Sequence, residues 1–314
     1  MKMIKLCLLC LLGILTGTVR LAAQDVIPPQ LTPQDTLRNP MLHLQHGSAV
    51  LHAAVVVGNS MPASFRNVGR DTLVNAAALD PFFAKLCQGT EPVRVVQLGD
   101  SHVRGHVFPV AVRHTLEAAW GSQAVYPDEI NYRTTAIARE TGAPGLVYHA
   151  IGQNGATAAD FCTTEKMDQM AALHPDLIIL SFGTNESHNR RYDAVEHYAQ
   201  LEALLTLLRH YAPDATVMLT TPPGSYVRAS RRRRIINPRT KKTVNTILAF
   251  GERNGLAVWD LYNIAGGSKR ACLNWKNNRL MQRDQVHYTH QGYTIQGNLL
   301  GEALLNAFND YVAN

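Results

Sequence analysis

From Val93 to the C-terminus, short apolar runs alternate with longer amphipathic ones, and this rhythm constrains the fold more than any other feature of the chain. Val93–Leu98 is predicted as a strand, Val107–Trp120 as a helix, Leu146–Ile151 as a second strand and Ala158–Leu173 as a helix. Asp176–Phe182 is continuously apolar, the pattern of a strand buried on both faces. A helix follows at Ala194–Tyr211, with Leu201, Leu204, Leu205 and Leu208 on one side. Then come a strand at Ala215–Thr220, a helix at Thr243–Asn254, a fifth strand at Leu256–Leu261 and a last helix from about His290 to Val312. Such alternation implies a parallel sheet with helices on both faces. Ligands of such sheets bind beyond the carboxyl ends of the strands.

The chain upstream reads differently. Residues 72–87 have helical spacing, with Pro81 as a break or a new start. Residues 24–60 contain Pro28, Pro29, Pro33 and Pro40 and no clean period, as in an export linker or an extended lead-in. Residues 1–23 combine a basic start, an apolar run from Leu6 to Val19 and the small residues Ala22 and Ala23. That order is the signature of a secretory signal peptide, so the expected location is periplasmic or extracellular. The expected division is therefore a signal peptide at 1–23, an N-terminal extension with a lead-in helix at 24–90, and one α/β domain at 91–314. Lys2, Lys5 and Arg20 leave with the signal, which lowers the formal charge from +6 to +3. That mild charge makes no general case for nucleic-acid binding. No other stretch is long and apolar enough to span a bilayer. Cys87, Cys162 and Cys272 are too few and too scattered for a disulfide framework or a zinc site, and read as buried thiols.

Four motifs fall at strand-to-helix junctions. V-V-Q-L-G-D-S-H, Val95–His102, ends a strand and places Ser101 where a helix begins, with backbone N–H groups facing outward. Alone, Asp or Ser at that point is an ordinary helix cap. I-G-Q-N-G-A-T, Ile151–Thr157, places Gly155 where its N–H can approach a substrate oxygen, though loop glycines are common. S-F-G-T-N-E-S, Ser181–Ser187, puts the Asn185 amide at the end of the buried strand, where the plain alternative is an Asx turn. D-Q-V-H-Y-T-H-Q-G-Y, Asp284–Tyr293, puts Asp284 three residues before His287, so that the carboxylate can orient the imidazole; an isolated pair would be a surface contact. His290 competes as the base but stands six residues from Asp284 and opens the helix.

In this order the four motifs resemble the SGNH (GDSL-like) hydrolase family, whose namesake residues match Ser101, Gly155, Asn185 and His287, with Asp284 as third member of the triad. The resemblance covers about Val93 to Tyr311. It implies a flavodoxin-like three-layer α/β/α sandwich and ester hydrolysis without a metal or organic cofactor. It also implies an oxyanion hole made by Ser101, Gly155 and Asn185. G-D-S-H, G-x-N-G-A and G-T-N-E are closest to the exported peptidoglycan O-acetylesterases, but no segment is long enough for the carbohydrate-binding β-module many of those carry. The expected partner is an O-acylated glycan such as peptidoglycan. The rivals are a lipid-directed esterase or lysophospholipase, an acyltransferase, and a silent glycan-binding protein on the same fold. The oligomeric state leaves no trace in the sequence.

Other features have competing readings. Arg228, Arg231–Arg234, Arg239, Lys241 and Lys242 form the one dense basic stretch. It could grip an acidic glycan, a lipid headgroup or a teichoic-type polymer, but the plainer reading is a solvated loop and helix start after Pro222-Pro223-Gly224. The turn Thr221–Tyr226 is expected to wall one side of the cleft. Trp259 and Trp275 could stack on a sugar, yet core packing is the commoner use. His102 and His106 flank the nucleophile. His43, His46 and His52 lack accompanying ligands for a metal.

Overall fold

The computed structural model describes residues 39, 42, 50–125 and 136–314. Among these residues the strands are β1 (Leu73–Val74), β2 (Pro92–Gly99), β3 (Ala124–Val125), β4 (Arg139–Glu140), β5 (Gly145–Gly152), β6 (Leu177–Ser181), β7 (Thr216–Thr220), β8 (Tyr226–Arg228), β9 (Arg234–Ile236) and β10 (Ala257–Trp259). Six of them form the central sheet in the order β1-β10-β7-β6-β2-β5. β10, β7, β6, β2 and β5 are parallel, and β1 pairs antiparallel with β10. Counted along the chain, the parallel strands run second-first-third-fourth-fifth, which is the flavodoxin-like order. The winding reverses between β2 and β6, so a crevice opens beyond Gly99 and Ser181.

Alternate residues of each central strand face two separate cores. Val95, Leu177 and Ile179 pack on the side of helices Val107–Trp120 and His290–Ala313, with Leu299, Leu300 and Leu304. Val96, Leu98, Ile178 and Leu180 face helices Ala194–Tyr211 and Thr240–Asn254, with Leu201, Leu204 and Phe250. The chain is thus an α/β/α sandwich. The leucine stripe of Ala194–Tyr211 sets the face that helix buries, while Asp193 starts it by accepting from the N–H groups of Val195 and Glu196. A buried polar chain crosses the sheet: Tyr148 Oη donates to Gln97, Gln97 Nε2 to Ser181 Oγ at 2.9 Å, and Thr220 Oγ1 to Ser181 Oγ at 3.1 Å.

Several expectations are corrected. The helix expected over 72–87 splits into β1, a 3-10 turn at Ala76–Leu79 and a helix at Asp80–Gln88 that Pro81 begins, because a missing N–H costs nothing in a first turn. The helix expected over 158–173 is a 3-10 turn at Ala158–Phe161 and a helix at Thr164–Ala171, separated where Thr163 caps the second piece. The basic stretch divides in two: β8 and β9 pair as a hairpin with Arg231–Arg233 in its turn, where a loop was expected, since Val227, Ile235 and Ile236 favour extended backbone, while Arg239, Lys241 and Lys242 stand at the start of helix Thr240–Asn254, as expected. Trp259 and Trp275 are fully buried and present no sugar-stacking face. Helix Ser268–Asn277 is an addition to the expected elements. Cys87 and Cys272 are buried free thiols, and Cys162 is a half-buried one. Residues 1–23, Cys7 and Cys10, His43 and His46 lie outside the described residues.

Candidate active site

Ser101 follows β2 directly and opens the short helix Ser101–Arg104, whose first turn is closed by Asp100 accepting from the His102 N–H at 2.8 Å. The helix packs so closely on β5 that a Cβ on Gly152 would stand 2.3 Å from the Arg104 nitrogen. Ser101 is nearly buried, at 9% exposure. Its hydroxyl lies 2.9 Å from His287 Nε2. His287 Nδ1 is 2.6 Å from Asp284 Oδ2, and Asp284 Oδ1 accepts from the N–H groups of Val286 and His287. Burial acts to raise the Asp284 carboxyl, but its bonds from His287 and the two backbone donors outweigh burial and hold it below the usual range.

The loop carrying these two residues is held from both ends. Gln282 N donates to the His287 carbonyl, Gln282 Nε2 to the Tyr288 carbonyl, and the Tyr288 hydroxyl to the Gly224 carbonyl at 2.7 Å. His290 opens the last helix, as expected, and lines the cleft without replacing His287 as the partner of Ser101. The cleft holds about 400 Å³ and is bounded by Ser101, Gly105, Val107, Gln282, His287, Tyr288, His290 and Tyr293.

Asn185 sits just beyond β6 in the short helix Thr184–His188. Its Nδ2 donates to the Ala156 carbonyl at 2.9 Å and to Asp100 Oδ2 at 3.2 Å, so one amide ties the Gly155 loop to the nucleophile's neighbour. Gly155 has φ +74, and a Cβ there would meet nothing within 4 Å; glycine suits this position by conformation rather than by crowding. Ser101, His287 and Asp284 thus form one hydrogen-bonded run beyond the carboxyl edge of the sheet, and Asn185 links the residue before Ser101 to the residue after Gly155.

Three neighbours carry more weight than the sequence suggested. His102 packs its ring 5.3 Å from that of His287, and its Nδ1 is 2.8 Å from the Tyr293 hydroxyl. Burial, reinforced by His287, lowers its pKa to about 3, so it is a neutral base plate beneath His287. Asp100 is pushed up to about 8 by burial and by Glu186, against the bond from His102 N–H. Glu186 accepts from the N–H groups of Gly183 and Ala158, binding the third motif to the second. The E of G-T-N-E was the available signal for it; nothing in the sequence marks the His102–Tyr293 contact. Tyr226 departs from expectation: it is buried beside the cleft rather than lining it, with Lys276 Nζ 4.7 Å from its ring centre. Among the described residues no group of three or more His, Cys, Asp or Glu could hold a metal ion, and no helix is long and apolar enough to cross a membrane.

Comparison with known proteins places the fold and the family. A solved peptidoglycan O-acetylesterase aligns over 76% of this chain and 99% of its own, with 19% identity and a TM-score of 0.63. A GDSL-like lipase from Bacteroides thetaiotaomicron aligns over 74% of this chain and 100% of its own, with 18% identity and a TM-score of 0.46. An acetyl xylan esterase aligns over 66% and 98%, with 16% identity and a TM-score of 0.48. No curated protein matches the chain. The model of the GDSL-like lipase/acylhydrolase family matches residues 98–295, which hold every residue of the cleft named above. The chain belongs to that family and is a carboxylic ester hydrolase.

Proposed function

We propose that the protein is a serine esterase that removes small O-acyl groups, acetyl first among them, from an extracytoplasmic glycan. The observation that carries this reading is the continuous contact from Ser101 Oγ through His287 to Asp284 at the floor of one cleft. In the first step His287 Nε2 takes the Ser101 proton while Oγ bonds to the ester carbonyl carbon. The carbonyl oxygen, now an anion, is received by the N–H groups of Ser101 and Gly155 and by the Asn185 amide. Of the two bonds Asn185 makes at rest, the longer, to Asp100, is the one an oxyanion takes over. The C–O bond to the sugar then breaks, and His287 gives its proton to the leaving alcohol. Water, deprotonated by His287, attacks the acyl-enzyme, releasing the carboxylate and restoring Ser101.

The walls of the cleft favour a short acyl group. Val107 is the single aliphatic side chain among its eight lining residues, and a long-chain acyl group would need an apolar groove. The peptidoglycan O-acetylesterase likeness points the same way at the level of fold. Export follows from the signal-like residues 1–23, with residues 24–90 as an extension ahead of the hydrolase domain at 91–314. The test is to compare para-nitrophenyl acetate with the octanoate, using purified protein and Ser101→Ala. The acetate should be preferred in kcat/KM by at least about tenfold, and Ser101→Ala should fall to background on both. Preference for the octanoate would replace the glycan reading with a lipid one.

A further inference from the structure

The β8–β9 hairpin is fastened at its base to the loop that carries Asp284 and His287. Tyr226 N donates to the Gln285 carbonyl at 2.9 Å, and Asn237 N to the Ser225 carbonyl at 2.9 Å. Ser225 Oγ is also 2.9 Å from His188 Nε2. The hairpin is therefore held in register with the cleft.

Its outer end is basic. Arg228 pairs directly across from Arg234, and the exposed Arg231, Arg232 and Arg233 make the turn. Like charges opposite one another on a two-stranded ribbon are destabilising. Among the described residues no acidic side chain pairs with any of these five arginines. Residues 226–242 hold eight cations, including Arg239, Lys241 and Lys242, and no acid. The fold supplies no anion to this concentration of exposed charge, which leaves it open to an anionic partner. The field also extends toward the reaction centre. Burial, followed by the charges of Arg239 and Arg234, lowers the pKa of His188, which also feels His287 and Asp284.

We propose that β8–β9 is a docking arm for an anionic polysaccharide, along which acyl esters of that polymer are presented to Ser101. The proposal names the substrate class of the esterase reading and rests on it. Arg228 and Arg234 stand two residues beyond the Tyr226–Ile236 pair, and the turn lies further out. At about 3.4 Å per residue the charged section begins roughly 7 Å from the base, the scale of a polymer crossing the cleft rather than of the acyl group within it. A membrane surface is a poorer fit, because interfacial segments insert apolar side chains. Ala229 and Ser230 stand at the arm's tip, and none of the large exposed apolar side chains, Val56, Val68, Val74 and Val195, lies on it. Nucleic acid fits poorly as well, because Tyr226, the arm's single aromatic, is buried and offers no base a stacking face.

Binding is separated from turnover by using Ser101→Ala, titrated calorimetrically with polygalacturonate, neutral xylan, equimolar phosphatidylglycerol–phosphatidylcholine vesicles and duplex DNA. Polygalacturonate should bind most tightly, with an affinity that falls as salt rises. Replacing Arg231, Arg232 and Arg233 together with glutamine should weaken it by about tenfold or more at low salt, while the triple lysine variant should retain most of it. In the active enzyme the glutamine variant should lower the ratio of kcat/KM on acetylated polygalacturonate to kcat/KM on para-nitrophenyl acetate. Unchanged polygalacturonate affinity in the glutamine variant overturns the proposal. So does tighter binding of vesicles, DNA or xylan. A protein that binds polygalacturonate through the arm but leaves aryl acetate intact refutes the esterase reading instead, and the two failures are distinct.

Discussion

Asn185 divides one amide nitrogen between the Ala156 carbonyl and Asp100, and the difference between those two acceptors bears on turnover. An oxyanion formed at Ser101 is the stronger acceptor and draws the amide away from Asp100. Asn185→Ala should therefore lower kcat on para-nitrophenyl acetate by about 10²–10³-fold while moving KM little, because the donor acts on charge that develops only in the transition state. Steady-state kinetics on a variant with wild-type circular dichroism checks this; an unchanged kcat removes Asn185 from the oxyanion hole. Asp100 adds a pH dependence. Its carboxyl, raised to about 8 by burial and Glu186, is mostly neutral at pH 7 and gains a negative charge beside the oxyanion as pH rises further. Turnover should decline above pH 8, and Asp100→Asn should lose that decline while keeping an acceptor for the His102 N–H. A pH profile of kcat decides, and an identical alkaline limb in the variant assigns it to another group. Ser101, Gly155 and Asn185 were legible as candidates because each stands in a short motif just past a strand, and Asp284 and His287 because three residues separate them ahead of the last helix, although the loop that carries them follows helix Ser268–Asn277 rather than a strand. The sharing of Asn185, the neutral His102 plate and the Asp100 shift were not, because they arise from burial and from partners 29 to 191 residues away in sequence.

The elements that carry these residues are placed by close backbone contact. Helix Ser101–Arg104 lies against β5 at Gly152, where a Cβ would meet the Arg104 nitrogen at 2.3 Å and its Cα at 2.6 Å. Backbone cannot swing aside as a flexible side chain does. Gly152→Ala should shift the helix, destabilise the fold by about 1–3 kcal/mol and lower kcat through the displaced nucleophile. Chemical denaturation and aryl acetate kinetics on the same preparation test both effects, and wild-type values for both would show that the contact relaxes freely. Element existence was readable where periodicity was strong, as for Ala194–Tyr211, whose leucine stripe and Asp193 cap agree with each other. Periodicity failed where local side chains competed with the backbone, as at Thr163, and where a short β-branched pair flanked a charged turn, as at β8–β9. Helix Ser268–Asn277 was hidden by its composition, since its buried residues Ala271, Cys272, Asn274 and Trp275 are a mixed set that no apolar stripe announces.

At the scale of the whole molecule, the parallel order needed the family resemblance, while the antiparallel edge β1 had no sequence signal at all: two residues, Leu73 and Val74, carry it. The approach to that edge is fastened across the sandwich. Asn309 exchanges bonds with the Val55 backbone at 2.7 and 2.9 Å, and Glu302 accepts from both the N–H and the hydroxyl of Ser60. Phe65, Leu79, Phe82 and Phe83 then join the same core as Val95. Near β1 stands Asp71, which accepts from Trp259 Nε1 at 2.9 Å while its second oxygen is buried without a partner.

Burial, opposed by the Trp259 bond and aided by Glu302, raises the Asp71 carboxyl from 3.8 to about 7. Its folded pKa exceeds its unfolded one, so the folded state holds the extra proton, and the stability it confers is lost as pH rises from about 4 through 7. Asp100, raised to about 8, acts with the same sign. The buried histidines act oppositely: His102, His114 and His197, lowered to about 3, 4 and 4 chiefly by burial, cost stability when pH falls below 6.5. Between about pH 4.5 and 6.5 the two sets offset each other, and above that range only the carboxyls still titrate. The Tm should accordingly be nearly level across the acidic range and decline from about pH 6.5 to 8. Asp71→Asn keeps an oxygen for Trp259 and has no charge to bury. It should raise the Tm at pH 8 by roughly 1–2 °C, the equivalent of about 1 kcal/mol in a chain of this size, and make the alkaline decline shallower. Scanning calorimetry of both proteins from pH 5 to 8.5 gives the answer; a variant whose Tm falls as steeply as the wild type would mean that Asp71 is already ionised at neutral pH and satisfied by water.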